Sequence, residues 1–181
     1  MTEPYSIRFA RAADLVRLQM IEQAASQLFA QTDFAYLVDG APIPLAALRE
    51  YQAAGHSWVA VDVTDQPVGF AIIRLHPVAV HLHELDVHPE HGRRGVGLRL
   101  VQTVCDWARE NGYPAVTLST FTSIIWNAPL YAKLGFMALN EAELTPALRD
   151  IRQHEADAGL PLDQRVCMVL RGCLKTNVYL W

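Results

Sequence analysis

The stretch HLHELDVHPEHGRRGVG, residues 81–97, packs four histidines, carboxylates, two arginines and three glycines into seventeen positions. Two chemistries compete for it. Histidines with carboxylates suggest a metal site; glycines with arginines suggest a cradle for a phosphate. On an extended strand successive side chains point to opposite faces. His81 and His83 are therefore expected on one face, and Glu84, Asp86 and His88 on the other. Without a bulge, the two sets cannot share one ion at ligand distances of about 2.0–2.2 Å. His81 and His83 read more simply as a half-exposed strand pair.

The phosphate reading needs a strand, a turn whose N–H groups face an anion, and a helix start. Gly95-Val96-Gly97 supplies the turn. Glycine permits positive φ and a close approach of backbone to ligand, and a helix N-terminus carries partial positive charge. Two other glycine loops are excluded. GxxxxGK[ST] is absent, and the dinucleotide fingerprint requires Gly or Ala at position 100, which is Leu. The metal alternative is a hydrolase using His81, His83, Asp86 and His88, although their spacing departs from the HxHxDH run of binuclear metallohydrolases.

Composition narrows the field. The chain has 181 residues, 51% hydrophobic and 19% charged, which suits one globular domain, assigned to 1–170 with a tail at 171–181. A net charge of −4 argues against a nucleic-acid partner held by general electrostatics. Arg93 and Arg94 form a local basic patch suited to a small anion. Cys105, Cys167 and Cys173 are an odd number without CxxC spacing, which fits a reducing compartment. No run of 18 apolar residues appears, so no membrane span is expected and the location is read as cytoplasmic.

Elements follow from periodicity. Ser6–Phe9 reads as a strand and 12–29 as a helix with apolar residues at three- and four-residue steps. Leu45–Ala53 reads as a second helix stopped by Gly55. SWVAVDV (57–63) and VGFAIIRLH (68–76) form a hairpin, and 79–87 a third strand. A helix then carries Leu98, Val101, Val104, Cys105 and Ala108 on one face. AVTLSTF (115–121) is a strand, 127–134 a short helix, 145–158 a helix whose mixed charges suggest a solvated face, and 165–170 a last strand. The fold class is α/β (α+β), a mixed central sheet flanked by helices on both faces.

Two motifs carry a resemblance. LDVHPEHGRRGVGLRLV resembles the acetyl-CoA-binding motif of the GCN5-related N-acetyltransferases (GNAT), with its Q/R-x-x-G-x-G/A loop. NAPLYAKLGF is similar to that family's tyrosine-bearing helix, A-x-x-x-Y-x-x-x-G-F. The element order from about 5 to 170 matches too. Two positions depart. Gly92 stands where Gln or Arg is usual, with Arg93 and Arg94 beside it. Ile124 stands where many members carry asparagine, with Asn127 three residues nearer the tyrosine.

The resemblance implies an acetyl-CoA-dependent N-acetyltransferase (an acyltransferase) acting directly on a small-molecule or protein amine. It implies that backbone groups of Leu85, Asp86 and Val87 pair with the pantetheine arm, with the Val87 N–H polarising the thioester carbonyl. The pyrophosphate falls to Gly92, Arg93, Arg94, Gly95, Val96, Gly97 and Leu98, with Asn127 as a further cofactor contact. Tyr131 corresponds to the general acid. Glu84 is the favoured base, directly or through water, with His83 and His81 next. Cys105 and Cys167 read as core, and Trp126 as packing in preference to lining an acceptor pocket. The acceptor is expected against the first two helices, their loop at about 30–44 and the segment after Phe136. Homodimers are common in the family, and a dimer is an open expectation. The other alternative is a non-catalytic acyl-CoA sensor on the same fold.

Overall fold

The computed structural model describes residues 4–172. Cys173 and nearly all of the tail assigned above lie outside the described residues. Among the described residues there are seven strands: β1 (Ser6–Phe9), β2 (Ser57–Val61), β3 (Pro67–His76), β4 (Ala79–Val87), β5 (Ala115–Phe121), β6 (Met137–Ala138) and β7 (Arg165–Arg171). Five α-helices accompany them: α1 (Leu15–Ser26), α2 (Leu45–Ala53), α3 (Val96–Glu110), α4 (Ala128–Lys133) and α5 (Pro146–Asp157). The hydrogen-bonded strand order is β1-β2-β3-β4-β5-β7-β6. β4 and β5 run parallel, whereas β1/β2, β2/β3, β5/β7 and β6/β7 are antiparallel. The expected mixed sheet is the one found.

The described residues form two compact units: one from those up to Arg74 with His83–Val104, the other from Leu75–Leu82 with those from Cys105 to Gly172. In the first, Leu15, Leu18 and Ile21 of α1 and Leu48 of α2 pack on Val59, Val61, Phe70 and Ile72. Pro67 to Ile73 of β3 are all buried, so this strand is covered on both faces. Phe70 and Ile72 face α1 and α2. Gly69, of opposite parity, faces Val96 of α3, where a Cβ would lie 2.9 Å from the Asp86 carbonyl oxygen and 3.3 Å from Val96 Cγ1. A side chain there would push β4 and α3 off the strand. Arg8 ties β1 to the turn before α1 through a two-pronged contact with the buried Asp14 carboxylate, at 2.7 and 3.1 Å.

In the second unit β7 pairs with β5 along its whole length, Ala115↔Arg171 to Phe121↔Arg165. Leu144, Leu148 and Cys167 pack together, with Leu139 and Ile151 against them. The solvated face expected for α5 is corrected here. Arg152 and Glu155 are largely enclosed, and Glu155 Oε1 accepts from Arg165 Nη2 of β7 at 2.8 Å. The Arg165 guanidinium also lies 4.6 Å from the Phe121 ring centroid.

Two smaller corrections concern side chains. Leu98, expected on the apolar face of α3, is 39% exposed, and Leu100 is buried in its place beside Val101, Val104, Cys105 and Ala108. β6 was absent from the sequence reading. Its two residues are both exposed, too short a run for alternation to register.

Candidate active site

The chain leaves β4 at Val87, and the His88 N–H donates back to the Val68 carbonyl at 2.8 Å. A short turn at Pro89–His91 follows, closed by His91 N–H to His88 O (2.8 Å) and Gly92 N–H to Pro89 O (3.1 Å). Arg93 then takes φ +56° and Gly95 φ +78°, and α3 begins at Val96. The next closed bond is Arg99 N–H to Gly95 O at 3.0 Å. Among the described residues, the N–H groups of Arg93, Arg94, Gly95, Val96, Gly97 and Leu98 therefore find no protein acceptor. Six consecutive open donors thus lead into the positive end of a 15-residue helix, the arrangement whose chemistry suits an anion.

Glycine serves two purposes in this row. Gly95 adopts a backbone conformation that L side chains rarely take. At Gly97 a Cβ would sit 3.6 Å from Val87 Cγ2, an ordinary contact, so the protein itself leaves room there. Arg93 is exposed. Arg94 is exposed too, but its Nη1 donates to Tyr5 Oη at 3.2 Å, so its charge is anchored to the residue before β1.

The second half of β4 departs from the alternation expected of it. The His83 ring lies 5.9 Å from Tyr51 of α2, on the α1/α2 face. Val87 shares its parity, yet its methyl reaches Gly69 and Gly97 on the α3 face. A change of one residue in phase between 83 and 87 is required. The simple division of His83 from Glu84, Asp86 and His88 into two faces is thereby corrected. Since the His88 N–H points to β3, the adjacent Val87 N–H points away from it, along the open side of the strand.

Electrostatics in this segment are set by burial. The Asp86 carboxyl is pushed well above the usual carboxylate range by burial first, then by Glu84 and Glu22. Glu22 of α1 is itself raised by burial, although its oxygens accept the Ile43 N–H at 3.1 and 3.0 Å. His83 is lowered to about 4 by burial and by Arg74, so it is neutral at pH 7. His81 is buried, not half-exposed, and its Nδ1 lies 3.0 Å from Thr117 Oγ1. Among the described residues no three His, Cys, Asp or Glu side chains come together as metal ligands. The metal-hydrolase alternative has no support.

Tyr131 and Asn127 belong to the second unit. Tyr131 is buried, edge-on to Phe136 with centroids 5.7 Å apart, and its carbonyl accepts the N–H groups of Leu134 and Phe136. Asn127 starts α4: its carbonyl accepts from Leu130 at 2.9 Å and Tyr131 at 3.1 Å, and its side chain makes no capping bond. Cys105 and Cys167 are buried, as expected, and burial pushes the Cys167 thiol up. Trp126 is 38% exposed, not packed in the core.

Sequence reasoning missed Gly69, Glu22 and Tyr5. An isolated glycine inside a β-branched strand was a usable signal for Gly69. Glu22 and Tyr5 carried none, since their importance comes from partners distant in sequence.

The strand, amide row and helix define an α/β domain with a row of open amide donors, and comparison with known proteins names its class. The model of the acetyltransferase (GNAT) family matches residues 19–136, more than half of the chain, and the chain belongs to that family. Human (Homo sapiens) N-acetyltransferase 8 is 40% identical over 57 residues, covering 32% of this chain and 25% of that protein. The match thus spans a quarter of the curated relative's length. Two solved structures share the fold. PaiA N-acetyltransferase from Thermoplasma acidophilum, in complex with coenzyme A, aligns with TM-score 0.68 at 13% identity, covering 93% of this chain and 99% of that one. The ribosomal-protein-S18-alanine N-acetyltransferase of Escherichia coli aligns with TM-score 0.65 at 17% identity, covering 98% and 99%. No helix among the described residues is long and apolar enough to cross a membrane.

Proposed function

We propose that the protein transfers an acetyl group from acetyl-CoA to a primary amine of a small molecule or a protein, by direct attack. The observation that carries this reading is the row of six N–H groups from Arg93 to Leu98 at the start of α3. Family membership and the coenzyme A held by the PaiA structure support it. Acetyl-CoA supplies an activated thioester; the chain's own residues do the rest. The amide row binds the pyrophosphate, with Gly92 to Leu98 forming its bed, Arg93 adding charge and Asn127 a further contact. The open edge of Leu85, Asp86 and Val87 pairs with the pantetheine amides as an added strand. The Val87 N–H, directed away from β3, stabilises negative charge on the carbonyl oxygen.

An ammonium has no lone pair for attack, so a base must remove its proton. Glu84 is assigned that role and Tyr131 the protonation of the departing thiolate. His83, neutral at physiological pH, is the second choice of base. The buried thiols of Cys105 and Cys167 offer no exposed nucleophile for a two-step route, and a reducing, cytoplasmic setting is the one proposed.

The test is a thermal shift with acetyl-CoA, followed by a panel of amines with detection of released thiol. At a hundredfold excess over Kd, stabilisation of about 2.7 kcal/mol is expected. Tyr131→Phe is expected to lower kcat at least tenfold while leaving acetyl-CoA affinity unchanged. No shift with saturating acetyl-CoA would refute the reading. Binding without thiol release on any amine would favour an acyl-CoA sensor.

A further inference from the structure

Tyr5 is buried, with 8% of its surface exposed, although it precedes the first strand. Three of its contacts go to one place. Its Oη lies 3.0 Å from His91 Nδ1 and accepts from Arg94 Nη1 at 3.2 Å, and its carbonyl accepts from Arg99 Nη1 at 2.9 Å. Its ring also meets His91 edge-on, with centroids 5.7 Å apart. His91 precedes the amide row, Arg94 lies within it, and Arg99 follows it in the opening part of α3. A single residue from a distant part of the chain therefore touches the loop before, inside and after its working surface.

The loop needs an outside brace. Among the described residues its N–H groups from 93 to 98 find no acceptor, so they contribute no rigidity to the loop there. Arg93 is held at φ +56°, which a non-glycine residue does not adopt freely. A surface of unpaired donors binds an anion tightly when it is already fixed in the bound conformation, because the ordering cost falls before binding. The hydrogen-bond directions agree along the chain of contacts: Arg94 donates to Tyr5 Oη, and the Tyr5 hydroxyl donates to a neutral His91.

We propose that Tyr5 is a positioning residue for the coenzyme, which fixes the anion-binding loop through His91 and Arg94 and so sets acetyl-CoA affinity without touching the ligand. This rests on the acetyl-CoA reading above. Tyr5→Phe keeps the ring and removes only the hydroxyl. Calorimetric titration of the full chain with acetyl-CoA is expected to show a Kd raised about five- to tenfold, the loss of one or two hydrogen bonds. The KM of the amine and kcat at saturating acetyl-CoA should stay at wild-type values, a split that a merely structural role would not give, while the unfolding midpoint without ligand falls slightly with the lost bonds. His91→Ala, which removes the other end of the contact, should weaken acetyl-CoA binding similarly and add little to Tyr5→Phe in the double variant. It also serves should Tyr5→Phe fail to fold. Wild-type affinity in both variants would overturn the inference while leaving the acetyl-CoA reading intact. So would a loss of affinity accompanied by a changed amine KM or a lowered kcat at saturating acetyl-CoA. Absence of acetyl-CoA binding by the wild-type protein would instead overturn the acetyl-CoA reading, and the inference with it.

Discussion

The two halves of β4 make different uses of one strand. Residues 79–82 are all buried, and Val80 to Leu82 pair in register with Val116 to Leu118. Residues 83–87 are all half-buried, carry His83, Glu84 and Asp86, and break the alternation. In the first half a polar side chain is tolerated by satisfying it locally, as Thr117 does for His81. In the second half titratable groups are left in surroundings that oppose their charged forms. Polar sequence in a strand thus has two meanings, and the partner decides which.

The largest expected effect comes from closing the space that lets the second half lie where it does. Gly69→Val places carbon against the Asp86 carbonyl, which a Cβ alone would approach to 2.9 Å. A loss of about 3 kcal/mol in urea unfolding is expected, at the upper end of overpacking costs, together with weakened acetyl-CoA binding. Wild-type stability would show that β4 holds its path without this gap.

His83 and Asp86 sharpen the contrast through pH, with opposite slopes. The His83 pKa is lowered from 6.5 to about 4, so the unfolded chain binds more protons between those values. Stability from this group is present above the unfolded value and lost as pH falls towards 4. Unfolding free energies measured across that window should rise with pH by about 2 kcal/mol, allowing for partial exposure, and His83→Gln should remove the rise. The Asp86 carboxyl is raised, so the folded state binds the extra proton and stability falls as pH climbs through the window above 3.8. Asp86→Asn should abolish that fall and be the more stable protein at pH 7, by about 1.4 kcal/mol for each unit of displacement. Parallel pH profiles for wild type and both variants would show that the two halves do not differ electrostatically.

The smallest effect concerns the loop that follows. Arg93→Gly relieves a positive φ in a non-glycine residue, and chemical unfolding should show a gain of about 1 kcal/mol or less. Binding of acetyl-CoA should weaken at the same time through loss of the charge.

Most elements were legible before the structure. The limits of α2, β4 and β5 coincide with those read from periodicity and from Gly and Pro punctuation. The glycine loop was legible because a strand, two glycines and a helix start dictate local geometry without help from elsewhere. What escaped depends on partners. Leu98 and Leu100 are alike in hydropathy, and helix rotation decides which is buried. The phase change in β4 leaves no mark in a segment already mixed in character. Glu155 and Arg152 read as surface charges until Arg165 of β7 arrives beside them. Tyr5 lies 86 residues from its partner His91, beyond the reach of any local pattern.

The space at Gly97 turns that position into a detector. Because a methyl group there would meet only a neighbouring valine at van der Waals range, folding is indifferent to it, and a helical alanine would even be favoured slightly. Whatever penalty Gly97→Ala incurs must come from a molecule pressed against the helix start. One small substitution can therefore separate what the chain requires of itself from what its visitor requires of it.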